Sequence, residues 1–361
     1  MKGKKYLKGY FYKNLGDDLF VKIILERYKN EKFEMYSSIN YKKVYKTDNL
    51  KIYSNWNIEV IFKRIINLIL RLFKSERRIK LEDYINYDII ILIAGSFFME
   101  PKDFNPKIYF KNIFNQKGNL YIIGSNFGPF NDKEYFNIHK NKIFKNAIDV
   151  CFRDKYSYNL FKELPNVRYA PDIIFSLNTE NIKITNRNRV IISVINCKKD
   201  QMEFINQDVY NKKICEFINF FEKMNYEVTL ISFSKEQGDE GIINKIIKMC
   251  RSKKVSKYFY RGNIDEALDV IGDSRIVVGT RFHANILGLI MNKVVIPIAY
   301  SDKTLNVLND INFKGKVFDI RKMDEFDVKC ITSKDLNYKL NVDIQKKEAE
   351  KHFRELDKIF K

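Results

Sequence analysis

The sequence predicts an α/β protein of two Rossmann-like domains facing a cleft, with parallel sheets and a C-terminal helix. Short, uncharged, β-branched runs such as Asp88–Ala94 (DIIILIA) and Val190–Ile195 (VIISVI) read as strands buried on both faces. They alternate with helix-like stretches nearly throughout, the pattern of parallel sheets covered by helices. One polar, Asn-rich stretch, Leu177–Arg189, interrupts the alternation. It is read as a linker between an N-terminal domain, 1–180, and a C-terminal domain, 188–335, with a charged helix over 340–361.

Taken in order, Tyr6–Tyr12 reads as a strand and Leu15–Tyr28 as a helix whose start Asp17 or Asp18 can cap. Ile58–Phe73 reads as an amphipathic helix. Strands follow at Asp88–Ala94, Leu120–Gly124 and Ala147–Arg153, the second ending in a turn, Ser125–Pro129, and the third leading to a helix at Ser157–Leu164. Beyond the linker come the strand Val190–Ile195, a helix near Val209–Met224, the strand Glu227–Phe233 and a helix at Asp239–Cys250. Then come a strand at Ser256–Tyr260, a helix at Ile264–Ile271, the strand Arg275–Gly279, a helix start at Phe282 and a buried strand from Val294. A polar loop carrying Lys303 follows, and an amphipathic helix over about Asp343–Phe360 closes the chain.

Composition narrows the classes. The 361 residues carry 65 Lys and Arg against 45 Asp and Glu, a net charge of +20. That balance favours anionic partners, whether nucleic acid, acidic membrane or phosphorylated small molecules. Abundant lysine and asparagine beside only 14 glycines and 6 prolines also fit an A/T-rich coding sequence, so part of the basicity is compositional. The cations are spread and no nucleic-acid motif appears, so a nucleic-acid role is not expected. Five cysteines (Cys151, Cys197, Cys215, Cys250 and Cys330) are odd in number, widely spaced and without a C-x-x-C pair. No disulfide framework or zinc site is implied, and a reducing cytosol fits. Met1–Gly9 is basic without a following apolar run, and Ile85–Phe98 is too short to span a bilayer. The expected location is cytoplasmic, with peripheral contact to the inner face of the cytoplasmic membrane left open.

The most informative stretch is Val277–Asn285 (VVGTRFHAN). It reads as buried strand, tight turn and helix start, and places Arg281 and His283 where helix N–H groups point outward. A guanidinium, an imidazole and backbone donors together suit an anionic substrate that needs a proton. Lys303 leaves the next strand in the same direction. His139 and His352 lie in polar stretches, which leaves His283 as the candidate acid/base. Four further turns sit at strand ends, where open α/β sheets bind ligands. They are Asn14-Leu15-Gly16-Asp17-Asp18, Ala94-Gly95-Ser96, Gly124-Ser125-Asn126-Phe127-Gly128-Pro129, and Arg153-Asp154 leading to Ser157. Each has a plain structural reading as well: N-capping, ordinary turns, an Arg–Asp surface pair. None matches a dinucleotide or P-loop pattern, and no metal site is expected. On Ile58–Phe73, Lys63, Arg64, Asn67, Arg71 and Lys74 share one face. The simpler reading is a docked surface helix; the alternative is a helix lying on anionic membrane.

In order, these residues resemble the polysaccharide pyruvyl transferase family over most of the chain. The resemblance rests on Asn14-Leu15-Gly16-Asp17, the Gly95-Ser96 loop, Gly124 to Pro129, Arg153-Asp154 with Ser157, Pro171-Asp172, Gly279-Thr280-Arg281-Phe282-His283-Ala284 and Lys303. Two positions depart from it: Lys13 where members often carry glycine, and Ala94 in place of the first glycine of its loop. The resemblance implies a GT-B-like fold and transfer of a pyruvyl group from phosphoenolpyruvate to a sugar of a surface polysaccharide, or to its lipid-linked repeat unit. The product would be a cyclic ketal. Arg153, Arg281 and Lys303 would bind phosphoenolpyruvate, His283 would act as general acid, and Asp17 as base or orienter. Asn14, Gly16, Gly95, Ser96, Gly124 and Asn126 would shape the acceptor side. No cofactor or metal is implied. The rivals are a GT-B glycosyltransferase using a nucleotide-sugar and a non-catalytic glycan- or membrane-binding relative.

Overall fold

A computed structural model describes residues 3–38, 41, 44–45, 47–75, 86–113, 118–198, 205–250, 252, 254–322 and 325–361. The chain divides into two compact units. Unit 1 comprises Met1–Tyr12, Phe20–Ile173 and Glu348–Lys361; unit 2 comprises Lys13–Leu19 and Ile174–Lys347. The short turn after the first strand thus belongs with the C-terminal unit, and the last residues belong with the N-terminal one.

Unit 1 is a parallel sheet in the order β3-β2-β1-β4-β5-β6-β7. Its strands are β1 (Lys5–Lys8), β2 (Phe33–Tyr36), β3 (Leu50–Tyr53), β4 (Ile89–Ile93), β5 (Asn119–Ser125), β6 (Asp149–Phe152) and β7 (Val167–Tyr169). Every residue of β4 is buried, as its uncharged run predicts for a strand covered on both faces. Helices α1 (Leu15–Arg27), α2 (Ile58–Leu72), α3 (Pro106–Ile113), α4 (Lys133–Ile138) and α5 (Lys155–Phe161) lie between the strands in sequence. The strand order reverses between β1 and β4, so that pair marks the switch point where ligands bind in such sheets.

Unit 2 has the order β10-β9-β8-β11-β12-β13, again parallel. The strands are β8 (Arg189–Ser193), β9 (Glu227–Ser232), β10 (Ser256–Phe259), β11 (Ile276–Gly279), β12 (Val294–Ala299) and β13 (Phe318–Asp319). Its helices are α6 (Gln207–Lys223), α7 (Asp239–Cys250), α8 (Ile264–Gly272), α9 (Phe282–Ile290) and α10 (Asp302–Asp310). Here the switch point lies between β8 and β11.

Several expectations change. The segment after β12 is not a polar loop but helix α10, because Thr304, Val307 and Leu308 recur at helical spacing and are buried. The closing helix is two, α11 (Asp343–Ala349) and α12 (Arg354–Phe360), separated by a 3₁₀ turn at Glu350–Phe353. Cys215 on α6 and Cys250 at the end of α7 form a disulfide, with their Cα atoms 5.3 Å apart. Wide sequence spacing hid that pair, since adjacent helices brought it together. His139 and His352 are fully buried despite their polar sequence neighbours. On α2 only Val60 is buried. Val60, Lys63, Ile66, Asn67 and Leu70 turn inward, while most of the bulky apolar face is exposed along with Arg64 and Arg71, so α2 is not a helix docked by its apolar stripe. Among the described residues no helix is long and apolar enough to cross a membrane.

Candidate functional site

At the β8/β11 switch point the chain leaves β11 through Thr280 and turns into α9 at Arg281. Ser193, the last residue of β8, accepts the Arg281 amide at Oγ (3.1 Å), and Tyr210 and Thr280 exchange a hydroxyl hydrogen bond of 3.0 Å. Arg281 is the N-cap residue of α9 and supplies no side-chain cap, because its guanidinium is used elsewhere. Its Nη2 donates to Asp239 Oδ1, and its Nε to Oδ2 at 3.2 Å. Asp239, the first residue of α7, also accepts the Phe233 and Ser234 amides at 2.9 and 3.0 Å. The carboxylate is thereby fixed by three neighbours, and it fixes the plane of the guanidinium. Both side chains are buried, so the pair is a pre-oriented fork rather than a loose surface ion pair.

His283 lies on the first turn of α9, its ring 5.1 Å from that of Phe282. Lys303, on α10, holds its Nζ 5.4 Å from the centre of the Phe282 ring. The Asn14–Gly16 turn is packed here too. Asn14 bridges Ser234 in antiparallel fashion, Leu15 donates its amide to Phe233 O at 3.0 Å, and Asn14 Nδ2 donates to Gln237 at 3.0 Å. The Asn14 side chain accepts the Gly16 amide at 3.0 Å, so Asn14 caps α1 in place of the acids that follow it. Gly16 then lies against the imidazole. A Cβ built on it would be 1.7 Å from His283 Nδ1. Asp17 is half-buried on that same turn. Asp18 is buried and accepts the Tyr260 hydroxyl.

The backbone at Lys13 accounts for the glycine that family members often carry there, and nothing in the structure explains the lysine. Its φ of 52° is in the left-handed region, where glycine is the least strained residue. Lys13→Gly should therefore raise unfolding stability slightly, by about 0.5 kcal/mol after the entropy cost of glycine, in a urea titration.

The second group of sequence-predicted residues meets in unit 1, around Arg153. The guanidinium is 1% exposed, and its Nη1 pairs with the fully buried Asp172 at 2.9 Å. Its Nη2 donates to Asn126 Oδ1 at 2.7 Å, and Ser96 Oγ donates to the same oxygen at 3.3 Å. Gly95 leaves the room: a Cβ there would be 2.8 Å from Nη1. Asp154 caps α5 through the Ser157 amide at 2.7 Å, and Ser157 Oγ in turn accepts the Phe127 amide at 2.8 Å. Arg153 thus ties the loops after β4, β5 and β7 together.

Two residues of these networks carry no motif. Asp239 reads in sequence as an ordinary helix opener. His352, far from any turn motif, accepts the Gly124 amide at Nδ1 (3.3 Å) and donates from Nε2 to Pro171 O (2.8 Å). That fixes the neutral Nε2–H tautomer. Burial pulls its pKa down to about 3.

The family model described as polysaccharide pyruvyl transferase matches residues 14–302, from the Asn14 turn to the start of α10. The amylovoran biosynthesis protein AmsJ of Erwinia amylovora is 22% identical over 263 residues, which span 66% of this chain and 62% of AmsJ. Among solved structures, Anabaena HepE in complex with UDP and glucose has a TM-score of 0.56 at 11% identity, covering 98% of both chains. The UDP-GlcNAc 2-epimerase of Methanocaldococcus jannaschii has a TM-score of 0.57 at 10% identity, covering 98% of this chain and 99% of its own. These two likenesses are of fold, in the GT-B-like class expected from the sequence. With the family model covering well over half its length, the chain belongs to the polysaccharide pyruvyl transferase family.

Proposed function

We propose that the protein transfers a pyruvyl group from phosphoenolpyruvate to a sugar of a surface polysaccharide, or of its lipid-linked repeat unit. The observation that carries this reading is the packing of Gly16 against His283 beside Arg281 at the β8/β11 switch point, with Lys303 over the neighbouring Phe282 ring. Phosphoenolpyruvate carries a phosphate and a carboxylate, and Arg281 and Lys303 supply cations for them. One sugar hydroxyl adds to C2 of the donor while His283 delivers a proton to C3, turning the methylene into a methyl. Asp17 takes the proton of the attacking hydroxyl. A second hydroxyl then displaces phosphate at C2 and closes the cyclic ketal, with the second hydroxyl proton leaving with phosphate or water. Asp239 positions Arg281 throughout, so that little reorganisation accompanies the build-up of charge on the departing phosphate.

The test is thermal stabilisation of the purified protein by phosphoenolpyruvate beside UDP- and GDP-sugars. At about a hundred times its dissociation constant a ligand stabilises by roughly 2.7 kcal/mol, a readable shift. Phosphoenolpyruvate alone should give it, and Arg281→Ala should lose it. A shift with nucleotide-sugars and none with phosphoenolpyruvate would overturn the reading in favour of a glycosyltransferase.

A further inference from the structure

Helix α2 carries its apolar residues on the wrong side for a domain in water. At about 100° per residue, Ile61, Phe62, Ile65, Leu68, Ile69 and Leu72 fall within an arc of roughly 120°. All six are between 40% and 75% exposed. Trp56 just before the helix and Phe73 just after it are 88% and 81% exposed. The opposite side holds the buried Val60 and the half-buried Asn67. Exposed apolar surface this continuous marks a binding face.

The charges around it select the occupant. Arg64 and Arg71, both exposed and two turns apart, run along one border of the apolar arc, and exposed Lys74 ends it. Glu59 is the one acid on the helix. With a net charge of +20 on the chain, two copies repel across such a face, whereas anionic headgroups attract it. A terminal Trp beside an apolar stripe bordered by arginine suits the boundary between headgroups and acyl chains. We infer that α2 is an interfacial anchor lying in the plane of an anionic membrane, its apolar arc in the acyl region and Arg64 and Arg71 among the headgroups. This goes beyond the pyruvyl-transfer reading and does not depend on it.

Flotation with vesicles of phosphatidylglycerol and phosphatidylcholine, beside phosphatidylcholine alone, tests the inference without an activity assay. The protein should partition to the anionic vesicles, and less so at about 0.5 M than at about 0.1 M salt. The triple variant Phe62→Ser, Ile65→Ser, Leu68→Ser should bind at least about ten-fold less, with an unchanged melting temperature because all three side chains are exposed. Arg64→Gln with Arg71→Gln should weaken binding about thirty-fold, two headgroup contacts at about 1 kcal/mol each. The inference fails if the wild type stays off anionic vesicles, or if the triple variant binds as well as wild type. It also fails if the wild type ignores vesicles but self-associates in sedimentation through this face, which would make α2 a contact between copies.

Discussion

Gly16→Ala is expected to cut kcat for phosphate release from phosphoenolpyruvate by at least about 10²-fold, as loss of a general acid does, with the protein still folded. Helix propensity favours alanine over glycine by about 1 kcal/mol, and Gly16 has no left-handed φ for alanine to resist. The backbone therefore accepts the change. The imidazole does not, since the new Cβ falls 1.7 Å from Nδ1 and 2.5 Å from both Cγ and Cε1 of His283. The ring has to leave the α1 turn, and the proton it delivers leaves with it. If Gly16 acts only through His283, the double variant Gly16→Ala, His283→Ala is no slower than His283→Ala alone. Wild-type kcat in Gly16→Ala would falsify the assignment of His283.

Acid is expected to weaken the fold well before carboxylates protonate. Burial pulls the pKa of His352 to about 3 and that of His139 to about 4, both below the unfolded value near 6.5. Each therefore stays neutral in the folded chain while its unfolded counterpart takes up a proton. The sign follows: no penalty above pH 6.5, then a growing loss of stability as pH falls toward the folded values. By pH 5 each histidine costs about 2 kcal/mol, roughly 4 kcal/mol together. For His352 the chemistry is visible: a proton on Nδ1 would turn a donor against the Gly124 amide it now accepts. Urea titrations at pH 7.5 and 5 should show the loss, and His352→Gln should remove about half of the pH dependence at the expense of lower stability at pH 7.5. A flat profile between those pH values would rule out both buried neutral histidines.

What could be read beforehand follows from how each feature is encoded. Strands β4 and β8 were legible because burial on both faces leaves a short β-branched run, uncharged throughout β4 and, past Arg189, in β8. Strands β2 and β3 are four residues each and half-buried in part, too short for alternation to speak. Arg281 and His283 were legible because a turn after a buried strand puts them there. Asp239 was not, because its meeting with Arg281, 42 residues on, depends on β8 lying between β9 and β11. Arg153 was located correctly at a strand end, yet its burial against Asp172 depends on a glycine in another loop, Gly95.

The late arrival of residues 348–361 in unit 1 has a consequence for biosynthesis. Phe353 and Leu356 are buried, Arg27 and Tyr28 both bond Asp357, and His352 reaches back 228 residues to Gly124. At about 5–20 residues per second, the β5 turn waits roughly ten to fifty seconds on the ribosome for that partner. Unit 2 is translated almost entirely within that interval. The sheet of unit 1 is therefore closed only after unit 2 has been made, and a nascent chain halted within unit 2 would present that sheet without its clasp.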